Sequence, residues 1–152
     1  MKRVFTVVLA FAMCFSFVAC AGKAEAPFRE IQKDTILPEE KASDICHIKN
    51  ISHSGNDDFT RSFACKPTDG DQLAVYIQNN SSDAIYANIT WENESSKGAY
   101  PAITIGTNGE NNLQIFSNTK DNRTGISGEW TINITSASGG PLDFSVEARQ
   151  YS

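Results

Sequence analysis

From Asp44 to the C-terminus the chain alternates apolar and polar residues with a period of two, the pattern of strands buried on one face. Leu73, Val75 and Ile77 alternate with Ala74, Tyr76 and Gln78, and Ile85, Ala87, Ile89 and Trp91 alternate with Tyr86, Asn88 and Thr90. Ile103 with Ile105, and Leu113 with Ile115, are shorter runs. Trp130, Ile132 and Ile134 alternate with Thr131, Asn133 and Thr135; Leu142, Phe144, Val146 and Ala148 alternate with Asp143, Ser145, Glu147 and Arg149. Turn-forming clusters separate the runs, among them Asp69-Gly70-Asp71, Asn79-Asn80-Ser81-Ser82-Asp83, Gly106-Thr107-Asn108-Gly109 and Gly139-Gly140-Pro141. No helical stripe of useful length follows Asp44. About eight short antiparallel strands, each apolar on one side, must bury those sides against one another. The expected fold is therefore all-β, a sandwich with jelly-roll topology.

Ser54-Gly55-Asn56-Asp57 predicts a hairpin tip that sets Cys46 opposite Cys65 and Ile48 opposite Phe63. Directly paired strand positions lie within disulfide range, so this register predicts a Cys46–Cys65 bridge. The bridge also requires an oxidising compartment. The N-terminus bears on that.

Lys2 and Arg3 precede an uncharged, mainly apolar run from Val4 to Ala19. A positive start, an apolar centre and a small-residue exit make a secretory signal peptide. The run falls short of the roughly 20 residues that a membrane-spanning helix needs. Phe17-Val18-Ala19-Cys20 resembles the lipobox of bacterial lipoproteins. That resemblance implies cleavage before Cys20 and a thioether-linked lipid on it, hence an extracytoplasmic domain anchored to the cell membrane or outer membrane. Ala19-Cys20-Ala21 is the competing exit, which releases a secreted chain starting at Gly22. The chain divides into a signal peptide over 1–19, a lipid-attached tether over 20–43 and a β-sandwich over 44–152. The tether is polar, with Phe28, Ile31, Ile36 and Leu37 as scattered positions for packing along the domain.

Charge narrows the partners. Removing Lys2 and Arg3 from 13 basic residues leaves 11 against 18 acidic ones, a net charge near −7. Such a surface lacks the clustered cations that phosphate binding requires, so no nucleic-acid partner is expected. The expected partners are the membrane, through the lipid on Cys20, and a protein or glycan; the alternative is a structural envelope-accessory lipoprotein that takes no small ligand.

Gly128-Glu129-Trp130-Thr131-Ile132-Asn133-Ile134, then Gly139-Gly140, then Leu142 to Ala148, resembles the closing strands of bacterial pre-peptidase-type jelly-roll domains. This resemblance implies a fold and an accessory role, and carries no catalytic residue across.

Motifs for chemistry are sparse. The sequence has no Gly-x-Ser-x-Gly elbow, no His-Glu-x-x-His helix and no phosphate-binding glycine loop. His47 and His53 are the only histidines, and with Cys46 and Cys65 they match no zinc spacing. Asn56-Asp57-Asp58 and Asp69-Gly70-Asp71 lack the spacing of a calcium loop. No catalytic residue, metal or cofactor is expected. Trp91 and Trp130 share the phase of the isoleucines and belong to the core. Tyr76 and Tyr86 share the opposite phase and, with Tyr100, form a candidate ligand patch; the alternative is cross-strand packing on a solvent-facing sheet. Asn-x-Ser/Thr occurs at Asn50, Asn79, Asn80, Asn88, Asn93, Asn122 and Asn133. If unmodified, these positions mark outer faces that are hydrophilic and uncharged.

Overall fold

The computed structural model describes residues 26–94, 96–118 and 125–152. Met1–Cys20, where the signal peptide and the lipidation cysteine are expected, and the Asn122 sequon lie outside these residues. The strands are β1 (Phe28–Lys33), β2 (Ile45–Gly55), β3 (Phe59–Cys65), β4 (Gln72–Asn79), β5 (Ile85–Glu92), β6 (Lys97–Ala99), β7 (Ile103–Ile105), β8 (Asn111–Ser117), β9 (Gly128–Ser136) and β10 (Leu142–Tyr151). The one helical turn among them is the short 3-10 piece Pro67–Asp69.

The strands form two antiparallel sheets. The first runs β1-β8-β4-β10-β2; the second runs β3-β9-β5-β6, with β7 beside β6 along the same edge of β5. The pairings are nested: β2 with β10, β3 with β9, β4 with β8, and β5 with β6 and β7. This is the jelly-roll winding, in which a long antiparallel ribbon is wrapped so that successive pairs fall in alternate sheets. Strand β1 extends the first sheet beyond β8.

The alternating apolar residues meet between the sheets. Leu73, Val75, Ile77, Phe144 and Val146 from the first sheet face Ile85, Ile89, Trp130, Ile132 and Ile134 from the second, all at 1% exposure or less. Aromatic contacts reinforce both ends: Phe116 lies 5.0 Å from Trp130, and Phe59 meets Phe144 edge-on at 5.4 Å. Trp91 and Trp130 are cross-strand partners and both are core residues.

Three expectations change. The first concerns the hairpin at Ser54–Asp57. β2 pairs with β10 and β3 pairs with β9, so the turn carries the chain across the sandwich instead of closing a ladder. Ile48 and Ile51 on β2 and Phe59 and Phe63 on β3 all pack on the one core. Facing burial of four large side chains outweighs the few hydrogen bonds of an edge-to-edge hairpin.

The second follows from it: Cys46 and Cys65 are free thiols, not a bridge. Cys46 pairs with Arg149 on the outer side of β10, whereas Cys65 pairs with Gly128 and is buried in the core. A register shift leaves His47 as an extra residue between Cys46 and Ile48. This bulge turns the His47 ring inward, where it stacks on Phe63 at 4.8 Å. The imidazole thus stands on the side of β2 that Cys65 occupies, and Cys46 points the other way.

The third is the domain boundary. Residues 28–33, placed in the tether by composition, are strand β1, registered from Phe28↔Ser117 to Lys33↔Asn112. Arg29 fixes its start, donating to the Pro101 carbonyl at 2.9 Å and lying 5.1 Å over the Tyr100 ring. Pro38 and Asp44 are held to the domain by Arg149.

Candidate functional site

Sheet register places the sequence-predicted tyrosines on three different sides. Tyr76 is on the outer face of the first sheet, between Leu113 and Glu147. Tyr86 is on the outer face of the second, between Thr104 and Thr135, and is 43% exposed. Tyr100 is buried between the sheets against Phe116, and its hydroxyl donates to the Pro27 carbonyl at 2.9 Å. Burial raises its phenol above the ordinary 10.0, with Arg29 opposing. The three tyrosines therefore do not assemble into a patch.

The histidine and cysteine side chains form a structural knot. Gln150 Nε2 donates to the carbonyls of Lys66, Gly70 and Ile126 at 2.8, 2.9 and 3.0 Å. With its amide nitrogen so engaged, Gln150 offers its oxygen to His47 Nε2, 3.2 Å away. That ring nitrogen therefore carries the proton, and Cys65 Sγ at 3.6 Å meets a donor, not a base. Burial pushes the Cys65 thiol up to about 12, with Asp69 and Glu129 adding to it. A thiol in that state is a poor nucleophile near neutral pH. His53 packs against Phe59 and Phe144. Among the described residues, no three His, Cys, Asp or Glu side chains gather as metal ligands.

Asn79, read from sequence as a glycosylation position, is a buried clamp. Its Nδ2 donates to the carbonyls of Asp83, Ile105 and Gly106, and its Oδ1 accepts from Ser81 N–H. The amide is spent inside the fold.

What remains is the outer face of the second sheet. The register sets Ser62, Thr131, Thr90 and Ala99 in one row across β3, β9, β5 and β6, and Thr60, Asn133 and Asn88 in the next. Thr135, Tyr86 and Thr104 make a third across β9, β5 and β7. Hydrogen bonds run along the rows: Thr60 Oγ1 to Asn133 Oδ1 at 3.0 Å, and Ser62 Oγ with Thr131 Oγ1 at 2.8 Å. None of these residues is charged. A fourth row, at one end, is charged: Glu129, Glu92 and Lys97 follow one another across β9, β5 and β6. There an open cleft of about 320 Å³ is lined by Thr90, Trp91, Glu92, Lys97, Gly98, Glu129 and Thr131. The outer face of the first sheet differs, carrying Glu30, Asp143, Glu147 and Arg149.

The alternations in β5 and β9 make their outward residues legible one strand at a time. Their assembly into rows depends on β9 lying between β3 and β5, for which the sequence holds no local signal. Chemically, such a face offers hydroxyl and amide groups that both donate and accept, one partly exposed aromatic ring and one cleft lined by the carboxylates of Glu92 and Glu129 and the ammonium of Lys97. The fold and this face define a jelly-roll β-sandwich with a neutral, polar sheet surface. No protein family, curated protein or solved structure matches the chain.

Proposed function

We propose that the chain is exported, cut before Cys20 and held at the cell membrane or outer membrane by lipid on that residue. Its jelly-roll domain, facing away from the cytoplasm, binds a protein or glycan partner and is not an enzyme. The anchoring half rests on Lys2-Arg3, the apolar run and Phe17-Val18-Ala19-Cys20. Residues 21–27, between Cys20 and β1, reach at most about 25 Å when extended, so an anchored domain stands close to the bilayer. Two or more acyl chains supply the two signals that stable anchoring takes.

The observation that supports the binding half is the outer face of the second sheet. Its rows of Ser, Thr and Asn carry no charge although the exported chain has a net charge near −7, and they lead into the cleft at Glu92 and Glu129. Mass spectrometry of the mature N-terminus, with detergent phase partitioning of the full chain, tests the anchor. A lipid-bearing Cys20 is the expected result; an unmodified chain beginning at Gly22 overturns it.

A further inference from the structure

We propose that the outer face of the second sheet takes an uncharged polysaccharide, laid along β5 and β9 from the Tyr86 ring to the Glu92–Glu129 cleft. This inference rests on reading that face as the binding surface and names its ligand class.

Charge and chemistry together select the occupant. Thr60, Ser62, Asn88, Thr90, Thr131 and Asn133 form the centre of the face. A neutral polyhydroxyl chain meets hydroxyl and amide groups there that donate and accept in either sense, as its own hydroxyls do. An anionic polysaccharide or a nucleic acid finds no cation in these central rows, and at the cleft meets two carboxylates against the single ammonium of Lys97. A protein partner needs a central cluster of aromatic or apolar anchors, and Tyr86 alone supplies none.

Geometry sets the length. Tyr86 and Glu92 are both outward-facing on β5, six residues apart, about 20 Å along a strand. Rows recur every second residue, about 6.8 Å apart, and neighbouring strands lie about 4.8 Å apart, so several sugar rings lie over the face at once. Tyr86 offers an exposed ring for a sugar face to stack on. At the other end, Glu92 and Glu129 stand directly opposite each other. Like charges so placed destabilise a ladder; Lys97 stands across from Glu92 on its other side, so a sugar seated in the cleft meets two carboxylates that accept from its hydroxyls and one ammonium that donates to them. Affinity then rises with chain length over the first few sugar units.

The test is affinity electrophoresis of the full chain through gels carrying neutral polysaccharides (β-glucan, mannan, chitin fragments) or anionic ones (alginate, hyaluronan). Isothermal titration with oligosaccharides of increasing length follows. The expected result is retardation by a neutral polymer only, weakened about ten-fold or more in both Tyr86→Ala and Thr131→Glu. Each variant's melting temperature is measured in parallel, and Asn88→Asp replaces any that melts early. No retardation by any neutral polymer, equal retardation by anionic ones, or unchanged binding in the variants overturns the proposal. The broader reading fails separately: a non-lipidated N-terminus refutes the anchor. If glycans fail, a purified protein partner whose binding Thr131→Glu blocks keeps the face and refutes only the ligand class.

Discussion

The side-chain amide of Asn79 donates to the Gly106 carbonyl at 2.7 Å, tying the end of β4 to the loop that leaves β7. The same nitrogen reaches the Asp83 and Ile105 carbonyls, and the Asn79 backbone bonds Gly109 and Glu110. One fully buried residue thus holds two turns, β4–β5 and β7–β8, at one end of the sandwich. Asn79→Leu leaves those carbonyls without their donor and is expected to destabilise the fold by about 1–3 kcal/mol in a denaturant titration. Asn79→Asp is worse at neutral pH, because a carboxylate faces acceptors. Its acid form restores one donor, so the folded-state pKa is raised. Its stability relative to wild type is therefore best below the unfolded value near 3.9 and is lost as pH rises.

Arg149 makes the second buried polar anchor. Its guanidinium reaches Asp44 at 3.3 Å and the Pro38 carbonyl at 2.7 Å, and the Arg149 and Asp44 side chains are only 4% and 5% exposed. Removing one partner strands a buried charge, so Arg149→Ala is expected to cost about 3–5 kcal/mol. It also frees the segment that Arg149 holds. Limited trypsin digestion is expected to cut after Lys41 much faster in the variant than in wild type; equal rates refute the clamp.

The strands were legible because a period of two survives in short windows, and the apolar phase read from sequence in β4, β5, β9 and β10 is the buried one in each. β8 defeats the rule. Ile115 and Phe116 are adjacent, so both phases end on an apolar residue, and Leu113 with Ile115 makes the outer phase look like the core one. In the structure Phe116 faces inward beside buried Gln114 and Asn112, opposite Leu73, Val75 and Ile77. Bulk decides: the phenyl ring fills the space against Trp130 and Tyr100. The hairpin and the disulfide failed for a different reason. Turn chemistry at Ser54–Asp57 shows that the chain reverses, not whether it reverses within a sheet or between two. The jelly-roll winding itself sends β2 and β3 to opposite sheets. The His47 bulge, which sets Cys46 and Cys65 on opposite sides of β2, leaves no mark in a pattern of alternation. Strand β1 was hidden by composition: it is an edge strand with Phe28 and Ile31 largely exposed, and its apolar content is correspondingly low.

Both thiols are expected to be slow in the folded protein. Burial raises Cys65 to about 12 from 9.0, and burial with Glu147 and Glu40 nearby raises Cys46. Alkylation at pH 8 is expected to label Cys46 before Cys65, and both only slowly until denaturant is added. The linkage has a definite sign. Unfolded thiols and phenols ionise from about pH 8.5–10, whereas Cys65 and Tyr100 resist in the fold. Their contribution is intact below those unfolded values and is lost as pH rises toward the folded ones. The melting temperature is therefore expected to fall between about pH 9 and 12, and a flat profile there counts against the burial of these two groups.

Thr131 and Ile132 are neighbours on β9 that point to opposite sides of the second sheet, and they separate folding from binding. Ile132 is fully buried between the sheets, across from Ile89 and Arg61 in the ladder. Ile132→Asp places an unpaired carboxylate in the core and is expected to cost more than about 4 kcal/mol, enough to leave little folded protein. Thr131 lies on the polar face beside Ser62 and Thr90. Thr131→Glu forfeits one hydroxyl contact and sets a carboxylate near Glu129, and its cost is expected to stay within about 1 kcal/mol. Paired thermal melts of the two variants check this. If Thr131→Glu melts as early as Ile132→Asp, residue 131 does not face solvent and β9 is out of register. If it melts near wild type, any ligand it ceases to hold was held by the face and not by the fold.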